Sequence, residues 1–235
     1  QRTNRYNQLR YVDDPTIMAW QIGNEPRAFS EKNKNTFLYW MSDVAAQIKL
    51  LDPNHMVSSG SEGLQGCEKD IALFEKIHAD SNIDYLNIHI WPYNWGWVKA
   101  DSLKELLLEA KNKTKAYIDK HIAVAEKYAK PIVLEEFGYP RDNFSFIKNT
   151  PTTLRDEYYR YVFDLVHKAK KHNGLLAGCN FWAWGGFANH TLGHIFWEKG
   201  DDYMGDPVQE EQGLNSVFIT DSTMKIISEA NEQLK

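Results

Sequence analysis

At 235 residues, with 43% hydrophobic and 25% charged side chains, the chain is long enough to bury a substantial core and has an ordinary globular composition. A net charge of −5, with Lys and Arg dispersed along the chain, argues against nucleic acid or an anionic membrane surface as the main partner. No stretch approaches a transmembrane span. Aromatic content is high at 13%, with eight Trp and twelve Tyr. That excess fits either a large core or an aromatic-faced groove for a flat ligand such as a sugar ring.

Short apolar, β-prone runs alternate with long amphipathic stretches, which predicts βα units around a parallel sheet. The first strand is expected in TIMAWQIGN, 16–24, followed by a helix through 34–52 that stops at Pro53. The second lies in 55–63, with a weaker helix near 68–79. DYLNIHIW, 84–91, is the third strand, and the helix after it is expected from Ser102 to about Tyr128, where Leu103, Leu106 and Leu107 recur at helical spacing. PIVLEEFG, 131–138, is the fourth strand and precedes a helix from Thr153 to about His172. The fifth covers 175–184, and a last helix spans about 222–234 after a long loop. Cys67 and Cys179 lack metal-ligand spacing and read as free thiols.

Every predicted strand ends in polar or aromatic side chains: Asn24-Glu25, Ser61-Glu62, His89 with Trp91, Glu136, and Trp182 with Trp184. Functional groups at the C-terminal ends of many strands are the habit of a (β/α)8 barrel, whereas an open sheet gathers its ligand at one switch point. No glycine-rich phosphate loop follows any strand, which removes the usual reason for a nucleotide-binding open sheet.

Strand alternation puts Asn87, His89 and Trp91 on one face of the third strand and Leu86, Ile88 and Ile90 on the other, so the polar set is expected at the barrel mouth. At the end of the first strand both Asn24 and Glu25 can reach that mouth. On the fourth strand Glu136 shares parity with Ile132 and Leu134, and Glu135 with Val133. Both faces are apolar, so periodicity does not choose between the two acids. Two carboxylates from separate strands suit glycoside hydrolysis: one gives a proton to the leaving oxygen, and the other attacks the anomeric carbon or activates water.

WQIGNEPR (20–27), NIHIWPYNWGW (87–97), IVLEEFGYPRD (132–142) and FWAWGG (181–186) together resemble glycoside hydrolase family 5, a family of retaining (β/α)8 enzymes. The entry TNRYNQLRYVDDPTIMAW (3–20) and the tail GDPVQEEQGLNSVFITDST (205–223) are similar to its endo-β-1,4-mannanase branch. The resemblance implies Glu25 as general acid/base and Glu136 as nucleophile, leaving Glu135 as a structural neighbour. It implies that Asn24 binds the substrate 2-hydroxyl and the nucleophile, that His89 and Trp91 stand at the mouth, and that Trp182 forms the floor under the attacked sugar. Trp91 stands where many members have a Tyr that bonds the nucleophile, and Leu214 and Asn215 occupy positions that are often aromatic. A retaining geometry would separate the two carboxylates by about 5–5.5 Å.

The expected architecture is therefore α/β, with residues 1–235 supplying strands 4–8 of one catalytic (β/α)8 barrel. The first three βα units would be missing, and with them a family Arg near the nucleophile. Five units cannot close a barrel, so the missing half is an expected partner, and the chain alone is expected to be poorly soluble or inactive. The resemblance implies a β-mannan polysaccharide or mannooligosaccharide substrate, no metal and no cofactor, and a secreted or periplasmic setting suited to a polymer. A β-1,4-glucanase on the same scaffold and a non-catalytic carbohydrate-binding fragment are the alternatives.

Overall fold

A computed structural model describes residues 2–235, with strands β1 (Ala19–Gln21), β2 (Met56–Ser58), β3 (Leu86–Ile90), β4 (Ile132–Phe137), β5 (Leu176–Cys179), β6 (Trp184–Gly186) and β7 (Val217–Phe218). The helices are α1 (Lys34–Leu51), α2 (Ile71–His78), α3 (Leu107–Tyr128), α4 (Thr153–Lys171) and α5 (Thr223–Gln233). β1 pairs parallel with β2, β3-β4-β5 form a three-stranded sheet, and β6 pairs parallel with β7. The chain divides into two compact units, one running to His89 and including His121–Val133, the other holding Ile90–Lys120 and Leu134–Lys235. Among the described residues no helix is long and apolar enough to cross a membrane.

In the first unit, α1 buries Phe37, Met41 and Ala45, one residue per turn along a single stripe. The indole N–H of Trp20 on β1 donates to Asp52 Oδ2 at 2.7 Å, just past the end of α1. α2 starts where the Asp70 carboxylate accepts from the N–H groups of Ala72 and Leu73, an N-cap worth about 1 kcal/mol. Its Phe74 and Ile77 are buried, as are Val57, Leu86 and Ile88 of the neighbouring strands.

In the second unit, α4 turns Tyr158, Tyr159, Val162 and Val166 inward, and Phe137 of β4 packs on Tyr159 with ring centroids 4.8 Å apart. α3 begins at Leu107 rather than at the expected Ser102. Its predicted first turn is displaced because the Leu103 carbonyl is taken by the Tyr139 hydroxyl at 2.7 Å. The fifth predicted strand also breaks. Beyond Cys179 the chain still follows β4, through Asn180 N–H to the Leu134 carbonyl and Trp182 N–H to the Phe137 carbonyl. At Ala183 it changes partner: Ala183 N–H donates to the Asn215 carbonyl, and Val217 N–H donates to the Ala183 carbonyl. The β6–β7 pair results, which the alternation did not anticipate. Cys67 and Cys179 are both free thiols, as expected, and burial pushes each up to about 12.

Candidate active site

Glu25 belongs to the first unit. β1 ends at Gln21, but the chain stays against β2: Ile22 N–H donates to the Ser58 carbonyl at 3.1 Å and Glu25 N–H to the Gly60 carbonyl at 2.9 Å. Glu25 itself has φ 48°, in the left-handed region where a non-glycine residue is uncommon. The pleat therefore stops before Glu25, and strand parity does not govern its direction. Its half-buried carboxylate accepts through Oε1 from His89 Nδ1–H at 2.9 Å. Asn24, one residue earlier, is exposed.

His89 lies at 2% exposure on β3, where all five residues are buried. The strand's polar side chains, Asn87 and His89, are thus enclosed together with its apolar ones. Asn87 is fully enclosed: its Oδ1 accepts from the Gly60 N–H at 3.0 Å and its Nδ2 donates to the Ser61 carbonyl at 3.2 Å. That side chain braces the 59–61 turn, which in turn holds Glu25.

Two further charged residues stand beside Glu25: Glu62, marked in the sequence only as part of a polar strand end, and Arg27, not marked as a site residue. Arg27 Nη2 lies 2.6 Å from Glu62 Oε2 and 3.6 Å from Glu25 Oε2. Glu62 is 1% exposed, and its carbonyl accepts from His89 N–H. Burial holds the Glu62 carboxyl above the ordinary carboxylate range, with the Glu25 charge adding to the shift and the Arg27 guanidinium opposing it. Ser61-Glu62 stood out in the sequence as a polar strand end. Nothing in one sequence tells such an acid from an exposed loop acid.

Glu136 belongs to the second unit, next to last on β4, and is half-buried like Glu135. Two residues on, Gly138 is packed so closely that a Cβ would lie 2.7 Å from the Trp91 ring, 3.0 Å from the Trp182 carbonyl and 3.3 Å from Asn215 Oδ1. The Trp91 ring and the Trp182 carbonyl thus pack on Gly138, two residues beyond Glu136; both tryptophans are half-buried. The Trp182–Ala183 peptide bond is cis. Leu214 and Asn215 serve this packing. Leu214 is buried and its carbonyl accepts from Arg155 Nη2, while the Asn215 side chain abuts Gly138.

Two fully buried arginines hold that segment in place. Arg155 donates through Nε to the Tyr139 carbonyl at 2.8 Å and through Nη1 to the Ser216 carbonyl at 2.8 Å. Burial brings its guanidinium down to about 10. Arg141 pairs with Asp221 and also reaches the carbonyls of Thr150 and Ser216. Most partners of these arginines lie far away in sequence, which is why motif reading missed them.

With this geometry in hand, comparison with known proteins is specific. The family model described as glycoside hydrolase family 5 β-mannosidase-like matches residues 1–235. Mannan endo-1,4-β-mannosidase 7 of Arabidopsis thaliana is 31% identical over 193 residues, covering 77% of this chain and 42% of the relative. A glycoside hydrolase family 5 mannosidase from Rhizomucor miehei superposes with a TM-score of 0.86 at 32% identity, over 99% of this chain and 55% of that one. A variant of the same mannosidase, TM-score 0.85 at 31% identity over 99% and 54%, is in complex with mannosyl-fructose. The endo-β-1,4-mannanase from Thermotoga petrophila gives 0.69 at 27% identity, over 98% and 47%. The chain spans about half the length of these proteins, and its α/β alternation is that of part of a (β/α)8 barrel.

Proposed function

The chain belongs to glycoside hydrolase family 5, in its β-mannosidase-like group, and from that premise we propose that it carries both catalytic carboxylates of a retaining enzyme cleaving β-1,4-mannosidic bonds in mannan, glucomannan or galactomannan. The observation that supports this most is the setting of Glu25. It is a solvent-reachable carboxylate with its backbone tied to the Gly60 carbonyl and one oxygen held by a buried His89.

In the proposed reaction Glu25 protonates the glycosidic oxygen as the Glu136 carboxylate attacks the anomeric carbon. The C–O bond to the leaving sugar breaks, and a glycosyl ester on Glu136 forms. Glu25, now ionised, takes a proton from water as its oxygen bonds to the anomeric carbon and displaces Glu136, which restores the Glu25 acid and the Glu136 carboxylate. His89 Nδ1–H fixes the direction of the Glu25 carboxylate through both steps. Asn24 contacts the substrate 2-hydroxyl, and Trp91 and Trp182 line the sugar's floor beside Glu136. Neither step calls on a metal or a cofactor. A polymeric substrate places the enzyme outside the cytoplasm, secreted or periplasmic.

An exo-acting reading, release of single mannose units from chain ends, is favoured by one observation. The TM-score is 0.86 to the Rhizomucor mannosidase against 0.69 to the Thermotoga endo-mannanase. Product analysis separates the two: an endo enzyme gives mixed oligosaccharides early, an exo enzyme mannose alone. The same assay on soluble cellulose addresses the glucanase alternative.

The catalytic assignment is tested with Glu25→Ala. Turnover of mannan should fall about 10²–10⁴-fold, the usual contribution of a positioned acid. Cleavage of an aryl β-mannoside whose leaving group needs no proton should suffer far less in its first step. Equal losses on both substrates, or wild-type turnover of mannan, would remove Glu25 from this role. Tight oligosaccharide binding with no cleavage by the unaltered enzyme would favour the non-catalytic alternative.

A further inference from the structure

Behind the turn that holds Glu25 lies a buried polar network, all of it within the first unit, that the proposed steps do not use. Ser59 and His78 are both fully buried, and Ser59 Oγ lies 2.8 Å from His78 Nε2 at the end of α2. The same hydroxyl oxygen is 2.9 Å from Asn87 Oδ1 and accepts from Ser61 N–H at 3.2 Å. His78 Nδ1 lies 2.8 Å from the Phe74 carbonyl, one turn back on the helix. A carbonyl only accepts, so Nδ1 carries the ring hydrogen. Burial brings the His78 ring down to about 3, with His121 and Lys130 acting in the same direction and the Phe74 carbonyl opposing them. The ring is therefore neutral near pH 7, and its Nε2 is an acceptor for the Ser59 hydroxyl.

This network governs a segment that strand pairing does not. β2 ends at Ser58, and Gly60 and Gly63 both have positive φ, at 72° and 90°. Beyond that point side chains take the backbone donors: Gly60 N–H goes to Asn87, Ser61 N–H to Ser59 and Gly63 N–H to Ser61 Oγ. Leu64 N–H goes to His121 Nε2 at 2.8 Å. Phe74 packs between the two histidines, with ring centroids 4.0 Å from His78 and 4.7 Å from His121. Residues 59–64 are thus anchored at both ends by buried imidazoles on one phenylalanine. The groups around Glu25 hang from this segment: the Gly60 carbonyl accepts from Glu25 N–H, and the Glu62 carbonyl from His89 N–H.

We propose that Ser59 and His78 are positioning residues for the acid/base: by anchoring the 59–61 turn from behind, they set where the Glu25 carboxylate stands against the departing oxygen. The inference rests on the reading of Glu25 as the proton donor. Neither residue touches substrate, so their loss acts on proton delivery and leaves sugar binding in place.

The test compares kcat/KM for mannotetraose and for an aryl β-mannoside whose leaving group needs no proton, in the full-length enzyme and its Ser59→Ala and His78→Phe variants. The mannotetraose-to-aryl ratio should fall about 10–10²-fold in each, since a displacement of about 1 Å in a catalytic group costs about 10²-fold. It should recover in His78→Gln, whose side-chain carbonyl can accept from the Ser59 hydroxyl. Should Ser59→Ala fail to fold, Ser59→Cys takes its place, with a weak donor of similar size. A parallel fall on both substrates, the signature of a packing role, or an unchanged ratio in a folded variant would overturn the proposal. If Glu25→Ala itself left the ratio unchanged, the catalytic reading would fail instead, and amide hydrogen exchange at Glu25 would decide on the anchoring. Faster exchange there in Ser59→Ala, with α2 amides unaffected, supports it; wild-type exchange at Glu25 overturns it.

Discussion

Gly60 has φ +72°, and a Cβ on it would lie 1.7 Å from the Gly23 carbonyl oxygen. Only glycine lets the segment that delivers Glu25 lie against the extension of β2. Gly60→Ala should therefore cost about 1–3 kcal/mol of stability through overpacking. It should also lower kcat, since a shift of about 1 Å in a catalytic group can reduce the rate about 10²-fold. Chemical denaturation and kcat measured on the same sample check both halves, and wild-type kcat in a folded variant would contradict the positioning account. At this scale the sequence was partly legible. Glu25, Glu136, His89, Trp91 and Trp182 stood out as polar or aromatic groups at strand ends. Parity could not choose between Glu135 and Glu136, and only the motif resemblance did so. Glu62 stood out only as a polar strand end and Arg27 not as a site residue, because their significance lies in a 2.6 Å contact between residues on different loops.

Helices were more legible than strands. α1, α2, α4 and α5 lie within three residues of their expected ends, because an amphipathic stripe of two or more turns leaves a periodic trace in the sequence. Strands of three to six residues leave little such trace, and the 175–184 run hid a change of partner at Ala183 that depends on residues 215–217. What holds that returning segment is the buried set Arg141, Arg155 and Asp221. The Asp221 carboxylate pairs with Arg141 and accepts from Phe218 N–H at 2.8 Å immediately before α5. Asp221→Asn keeps the shape but leaves two arginines buried without their counter-charge. Loss of one partner from a buried pair costs about 3–5 kcal/mol. The denaturation midpoint should fall accordingly, and a variant within about 0.5 kcal/mol of wild type would show that Asp221 does not neutralise the pair.

For the whole molecule, the sequence indicated part of a (β/α)8 barrel, and the similarity to the Rhizomucor mannosidase over 99% of this chain and 55% of that one agrees. Alternation of strands and helices indicated a parallel α/β sheet, the polar and aromatic strand ends favoured a barrel over an open sheet, and the motif resemblance identified its later strands. The proposed chemistry makes Glu136 the nucleophile of a double displacement and Glu25 its acid/base. A 2-deoxy-2-fluoro β-mannosyl fluoride tests this most directly, because the C2 fluorine slows both steps while the fluoride leaving group restores only the first, so that a glycosyl-enzyme ester accumulates. After incubation of the full-length enzyme, peptide mass spectrometry should find one fluoromannosyl group per active enzyme, attached at Glu136. Attachment at Glu135 or elsewhere, or steady turnover of natural substrate with no covalent adduct, would contradict the account.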